Sequence, residues 1–482
     1  MGVPGLKSWV IKNCPTSRVD FRNSPCNYIA VDAVGFVYFS YTFDWLYGGQ
    51  YAAFEKQVTK YLNALKCVEI SPVFFFDGNS DPRKHETFID RFCQREKESK
   101  EISKAIKNKR MSNLSYKFLP CCLISHLRTI LLKNDVKIHQ AEFEADVEIA
   151  RFCKINAETC FGVWTNDSDM LVYDGIENVV FFEDIQLVVD DKTICCRYYN
   201  QKKVLANLGI PKYALSTLAS LAGNDYMKST EQIHVAVSKF VGRKINDSTS
   251  KTTRISLFCN FLQRNLPQKN GSELDTRVSL ITKSPMNRFY DTRSHYTLHD
   301  DDPSNSTTVR ISLYSDLFEF HVHDILLPLR HCYFKSEFKN MRVEEFYFNN
   351  SKLASRIITD NASSFNMLQY HEENCNIVTT AIKILKTLAA TANVYIFDWE
   401  WDVFLDDNNN ADVNLYHADD HLFRFRSLYL MLQLGVYYCH SIIRKQYIIE
   451  HFDYKKFDGI KYYKRYEIAY RLNNKEAHIV LK

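Results

Sequence analysis

Phe161-Gly162-Val163-Trp164-Thr165-Asn166-Asp167-Ser168-Asp169 is the stretch on which the fold turns. Its short apolar run, rich in aromatic and β-branched side chains, reads as a strand buried on both faces. The run empties into two carboxylates spaced two residues apart, which face one side if the segment is extended. The same pattern recurs upstream, where Tyr28-Ile29-Ala30-Val31 runs into Asp32 and Val73-Phe74-Phe75-Phe76 runs into Asp77. Helical candidates such as Ala53 to Cys67 lie between the runs, so an α/β alternation with a mostly parallel sheet is expected. In an open sheet of that kind ligands bind beyond the carboxyl ends of the strands, which places these aspartates along one rim.

Composition sets the outer limits. At 482 residues the chain exceeds one ordinary domain of roughly 150 residues. With 46% hydrophobic and 24% charged residues, wholesale disorder is excluded. The net charge of +4 is too small to argue for a nucleic-acid or membrane partner, so any such case must come from local charge. The longest uncharged stretch, Ser427 to Ile443, has 17 residues against the roughly 20 that a spanning helix needs; it reads as a buried helix, and no membrane is expected. The 14 cysteines form no C-x-x-C pair, which suits reduced thiols in an intracellular protein. No basic segment followed by an apolar one opens the chain, so no secretory signal is expected. Neither a glycine-rich phosphate loop nor a G-x-S-x-G elbow is present, which points away from nucleotide hydrolysis and serine-hydrolase chemistry.

Between Arg83 and Arg110 the sequence has ten Lys or Arg against five Asp or Glu and reads as one long charged helix or two. Glu144-Ala145-Asp146 then opens a further helix, and Ala222-Gly223-Asn224-Asp225 ends the βαβ rhythm. Seven acidic residues, Asp32, Asp77, Glu144, Asp146, Asp167, Asp169 and Asp225, thus recur at strand ends or helix starts. Any single Asp there is more often a helix cap than a ligand. Gathered at one rim, however, each close pair repels by about 1 kcal/mol even at the dielectric of water, and bound cations would relieve that repulsion. Oxygen-only donors suit hard ions, Mg²⁺ or Mn²⁺. Two such ions about 4 Å apart would activate a water and stabilise the leaving oxygen in phosphodiester hydrolysis.

Met1-Gly2-Val3-Pro4-Gly5-Leu6, Val31-Asp32-Ala33, Phe76-Asp77-Gly78, Glu144-Ala145-Asp146, Asn166-Asp167-Ser168-Asp169 and Leu221-Ala222-Gly223-Asn224-Asp225-Tyr226 together resemble the flap-endonuclease, or XPG-like, 5′ nucleases. Within that superfamily the chain looks most like the Asteroid proteins. Tyr47-Gly48-Gly49-Gln50-Tyr51, Glu-Ala-Asp in place of the usual Glu-Ala-Glu, and Gly-Asn-Asp in the last motif carry that likeness. The motifs span about residues 1 to 230.

The resemblance implies a PIN-like fold with a helical arch. It also implies that Asp32, Asp77, Glu144 and Asp146 serve a first metal site and Asp167, Asp169 and Asp225 a second. Lys84 and Arg91 match the gateway cations that meet the scissile phosphate, Tyr38 the residue that stacks on the adjacent base, and Gly2 and Gly5 the terminal segment close to DNA. Each has a structural competitor: a solvated charged face for Lys84 and Arg91, core packing for Tyr38.

On this basis residues 1–267 form the nuclease domain, with the arch and gateway at 83–135; 268–310 form a polar connector broken by Gly271, Pro285 and Pro303; and 311–482 form a mostly helical C-terminal region. The implied substrate is DNA with single-strand/duplex junctions, RNA remaining open, in a nuclear setting. One departure stands out. Met227 to Phe240 lacks the Gly-x-Gly with which flap endonucleases hold duplex backbone and a potassium ion. Two functions therefore compete, a two-metal structure-specific nuclease with Asp32, Asp167, Lys84 and Arg91 in its catalytic machinery, and a nuclease-fold scaffold for nucleic acid or protein.

Overall fold

The computed structural model describes residues 2–42, 51–78, 81–107, 119, 123–141, 143–188, 193–246, 248–266, 270–298, 308–312, 326–329, 342–349, 352–358 and 377–391. The chain divides into two compact units. The first comprises Met1–Thr42, Phe54–Phe88 and Leu127–Asn305; the second comprises Phe43–Ala53, Ile89–His126 and Ser306–Lys482.

In the first unit, β1 (Ser17–Asp20), β2 (Tyr28–Asp32), β3 (Ser71–Phe76), β4 (Lys137–Gln140), β5 (Cys160–Thr165), β6 (Asn178–Phe181), β7 (Ile185–Val188) and β8 (Thr193–Asn200) build one sheet. Its order is β1-β8-β6-β5-β2-β3-β4, with β7 on β8. The five strands from β6 to β4 pair in parallel, while β8 runs antiparallel to β1, β6 and β7. This is the mostly parallel α/β sheet that the apolar runs announce. From β2 the chain fills positions to one side with β3 and β4, then crosses to place β5 and β6 on the other. The β2/β5 boundary is therefore the topological switch point, where an open sheet leaves a crevice beyond its carboxyl ends.

All six residues of β5 are buried, as a strand covered on both faces requires. One face carries α1 (Leu6–Asn13), and the ring of Phe36 in α2 (Ala33–Ser40) meets Tyr61 of α3 (Tyr51–Cys67), Phe74 and Phe182 edge-on at centroid distances of 5.7, 5.3 and 5.9 Å. Two helices continue the alternation toward the next acidic cluster, α4 (His85–Lys107) and α5 (Leu123–Lys133). The boundary between the two units falls within α4, after Phe88. Then come α6 (Ala145–Ile155), α7 (Gln201–Leu208), α8 (Leu215–Ala222), α9 (Glu231–Val241) and α10 (Lys251–Gln263). Leu6, Trp9 and Val10 share a core with Ile149, Leu218, Phe258 and Phe261, and the Trp9 indole donates to Ser256 Oγ at 2.8 Å.

The connector expected over 268–310 is not one throughout. It holds α11 (Gly271–Thr282) and α12 (Met286–Thr297), whose Leu274, Val278, Phe289 and Tyr296 lie in the same core. Its breakers sit at helix starts, Gly271 as the first residue of α11 and Pro285 as the cap of α12. Its polarity is also spent internally, since buried Asp275 accepts from Thr217 Oγ1 at 2.7 Å and pairs with Arg293.

Within the second unit, β9 (Thr308–Ser312), β10 (Arg342–Asn349) and β11 (Lys352–Ile358) form a sheet in the order β11-β10-β9, and α13 (Ile377–Thr391) follows. Buried Glu345 of β10 accepts from Arg356 Nε of β11 at 2.6 Å. Ser427 to Ile443, most of the expected helical C-terminal region and residues 108–118 of the expected arch lie outside the described residues. Among the described residues no helix is long and apolar enough to cross a membrane.

Candidate metal centre

All seven acidic residues belong to the first unit. Asp32 ends β2 at the switch point. Its Oδ1 caps α2 by accepting from Gly35 N–H at 2.8 Å, and its Oδ2 accepts from Thr165 Oγ1 of the neighbouring strand at 3.0 Å. The cap expected of any such Asp is present, yet it uses only part of the carboxylate's capacity. Asp77, just past β3, accepts at Oδ1 from Ala145 N–H at 3.0 Å and so fixes the start of α6, the helix whose first turn carries Asp146 and whose cap is Glu144. Asp167 accepts from Asp169 N–H at 2.9 Å, which winds the tight turn that follows β5.

The carboxylates feel one another. Burial pushes Asp32 up to about 6, with Asp77 and Asp167 adding to it. Burial first, and then the negative charges of Asp167 and Asp225, push Asp169 up to about 8. Asp146 is raised well above the usual range by burial, then by Asp167, Asp77 and Glu144. Asp167, raised chiefly by burial and also by Asp225, is thus coupled to members of both expected metal sites.

Lys84 sits among them, 7% exposed. Its Nζ donates to Glu144 Oε2 at 2.8 Å and stands 3.6 Å from Asp225 Oδ2, with the Tyr226 ring 4.9 Å away. Burial works against its charge, but Glu144, Tyr226 and Asp225 outweigh it and hold the ammonium well above its usual range. The solvated-face alternative therefore does not apply to Lys84. Arg91 is exposed and lies on the part of α4 that belongs to the second unit.

Tyr38 is 36% exposed on α2, so it is not the core ring its sequence neighbours suggested; Phe36 fills that place. Gly2 has φ +88°, and a Cβ there would collide with Asp167 Oδ1 and Ser168 Oγ. Gly5 has φ +87°, and a Cβ would meet the Lys251 carbonyl carbon at 2.6 Å. Both glycines are thus required by the protein's own packing.

The donor set fits a hard cation. It is oxygen-only, and Asp169 Oδ1 is buried without a hydrogen-bond partner. Among the described residues, no three acidic, histidine or cysteine side chains are drawn into a metal-holding arrangement. Mutual repulsion and the Lys84 ammonium give a physical reason for their separation. Behind Asp169 lies a buried polar group, Tyr296, His295, Tyr173 and Tyr226, of which the first three lie outside every sequence motif. Tyr226 closes the Gly-Asn-Asp motif, and pairings of this range leave no local pattern.

A mostly parallel sheet with carboxylates beyond its strand ends and a buried lysine among them is the arrangement that the resemblance to XPG-like nucleases implies. Residues 85–304 match the family model described as XPG domain containing. The match covers less than half of the chain, and within it the chain is similar to Asteroid-type proteins of the XPG-like superfamily. A Bos taurus protein named constitutive coactivator of peroxisome proliferator-activated receptor gamma is 28% identical over 241 residues, 47% of this chain and 33% of that protein. A Danio rerio protein named single-strand DNA endonuclease ASTE1 is 26% identical over 245 residues, again 47% of this chain and 33% of that protein. Among solved structures, the catalytic core of Rad2 in complex with DNA substrate overlays with a TM-score of 0.38 at 17% identity, covering 63% of this chain and 88% of that one. The chain thus matches about a third of the length of these curated relatives.

Proposed function

We propose that the protein is a divalent-metal-dependent nuclease that hydrolyses phosphodiester bonds of DNA near single-strand/duplex junctions. The observation that carries this is the placement of Asp32, Asp77, Glu144, Asp146, Asp167, Asp169 and Asp225 at the ends of strands and helices of one unit, with Lys84 Nζ 2.8 Å from Glu144 Oε2 and 3.6 Å from Asp225 Oδ2 and with Asp169 Oδ1 buried and unpartnered. These seven side chains would hold two Mg²⁺ or Mn²⁺ ions, Asp32, Asp77, Glu144 and Asp146 serving one and Asp167, Asp169 and Asp225 the other. When bound, such ions supply Lewis acidity toward water and a scissile phosphate. Lys84 contributes a fixed positive charge at the mouth of α6, where phosphate charge would need neutralising, and the family resemblance gives Arg91 the same task. Tyr38 offers an exposed ring on which a base can stack. Gly2 keeps the terminal segment close against Asp167. The name of the zebrafish relative favours DNA, with RNA kept as an alternative substrate, and a nuclear setting follows from that role.

A second reading is a catalytically silent scaffold, favoured by the coactivator name of the bovine relative. One assay separates the two. Purified protein is incubated with labelled flap, bubble and single-stranded substrates plus Mg²⁺ or Mn²⁺, beside Asp167→Ala. Cleavage by the wild-type protein alone supports the nuclease; equal products from both, or none from either, sinks it.

A further inference from the structure

Asp169 presents two unequal oxygens. Its Oδ2 accepts the phenolic proton of Tyr296 at 2.8 Å, while its Oδ1 is buried and unpartnered. Tyr296, 1% exposed near the end of α12, also accepts at its backbone carbonyl from Asp174 N–H at 2.8 Å. One residue therefore grips both the carboxylate and the chain just beyond it. The Tyr296 ring is braced edge-on by Tyr173, with centroids 5.0 Å apart.

The preceding residue anchors this arrangement. His295 lies between the hydroxyls of Tyr173 and Tyr226, the latter 2.7 Å from Nδ1, and Tyr226 reaches Asp81 Oδ2 at 3.3 Å. Burial, reinforced by Lys84 and Arg83, holds His295 well below the usual imidazole range, so the ring is neutral and has one N–H. If Tyr226 gives its proton to Asp81, the ring donates from Nδ1 to Tyr226 and accepts from Tyr173 at Nε2. Each of the three groups is then satisfied, and the segment bearing Tyr296 is pinned.

We infer that Tyr296 is a positioning residue for Asp169: by occupying Oδ2 it leaves Oδ1 as the oxygen turned toward a divalent cation. The inference rests on Asp169 being an ion ligand in the proposed nuclease. A carboxylate without such a partner would divide its population between orientations, and loss of an orienting hydrogen bond typically weakens ion binding by about tenfold or more. The phenol proton stays on Tyr296 throughout.

The test is calorimetric titration of Mn²⁺ into the metal-free full chain, comparing wild type, Tyr296→Phe and Tyr173→Phe, with melting temperatures as a fold control. Tyr173→Phe removes a buried hydroxyl from the same cluster but leaves the Tyr296–Asp169 bond. The expected result is about tenfold weaker Mn²⁺ binding in Tyr296→Phe and a change within about twofold in Tyr173→Phe. If the phenylalanine variant does not fold, Tyr296→Met, equally lacking a donor, takes its place. Wild-type affinity in the Tyr296 variants, or an equal loss in Tyr173→Phe, overturns the inference while leaving the nuclease reading intact. No Mn²⁺ binding by the wild-type protein overturns both.

Discussion

Asp169 and Asp32 keep protons that an ordinary carboxylate, near 3.8, has already released; the first is pushed up to about 8 and the second to about 6. Between those values and 3.8 the folded state binds more protons than the unfolded chain, so stability falls as pH rises. The contribution is fully present below pH ~4 and is lost as pH passes about 6 and then about 8. The metal-free protein should accordingly melt at progressively lower temperature from pH 5 to pH 8.5, and saturating Mg²⁺ should flatten that slope. Scanning calorimetry with and without a chelator checks both. At Lys84, replacement by Ala removes the cation that Glu144 and Asp225 share. Unfolding titrations of the metal-free variant should show a loss of roughly 3 kcal/mol, the usual cost of stripping one partner from a buried pair. Cleavage should fall by about two orders of magnitude in single-turnover assays, as on removal of a preorganised charge. The acidic residues were legible in sequence because strand end and carboxylate adjoin, as in Asp167-Ser168-Asp169. Tyr296 was not, because its partner lies 127 positions away and only the tertiary fold joins them.

Among the elements, α11 and α12 show why composition alone misleads. Gly271, Pro285 and a run of polar residues read as connector, yet Gly271 opens one helix and Pro285 caps the next, and Asp275, Thr217 and Arg293 satisfy one another inside. The strands were easier, since β2, β3 and β5 are covered on both faces and so spell continuous apolar runs. Phe289 of α12 is 1% exposed in the core shared with α8 and α10. Its replacement by Ala should cost about 3–5 kcal/mol in denaturant unfolding, as for other buried Phe truncations. A surface connector would tolerate the change within about 0.5 kcal/mol. Because α12 also carries Tyr296, Mn²⁺ affinity should fall in the same variant.

At the scale of the whole molecule, the seven carboxylates, Lys84 and the Tyr296 cluster all belong to the first unit, whose last segment ends at Asn305. A fragment ending at residue 305 should therefore fold, give a cooperative thermal transition by circular dichroism, and bind Mn²⁺ with an affinity within about threefold of the full chain. Non-cooperative melting would show that the site depends on residues beyond 305. Beyond residue 305 the sequence offered little chemistry, and the described three-stranded sheet and α13 add an internal Glu345–Arg356 pair.

The ammonium of Lys84, lodged between Glu144 and Asp225, gives the domain a resident counter-ion that no chelator can remove. Under the proposed nuclease reading, that resident charge would temper the acidic cluster until divalent ions and a polynucleotide arrive.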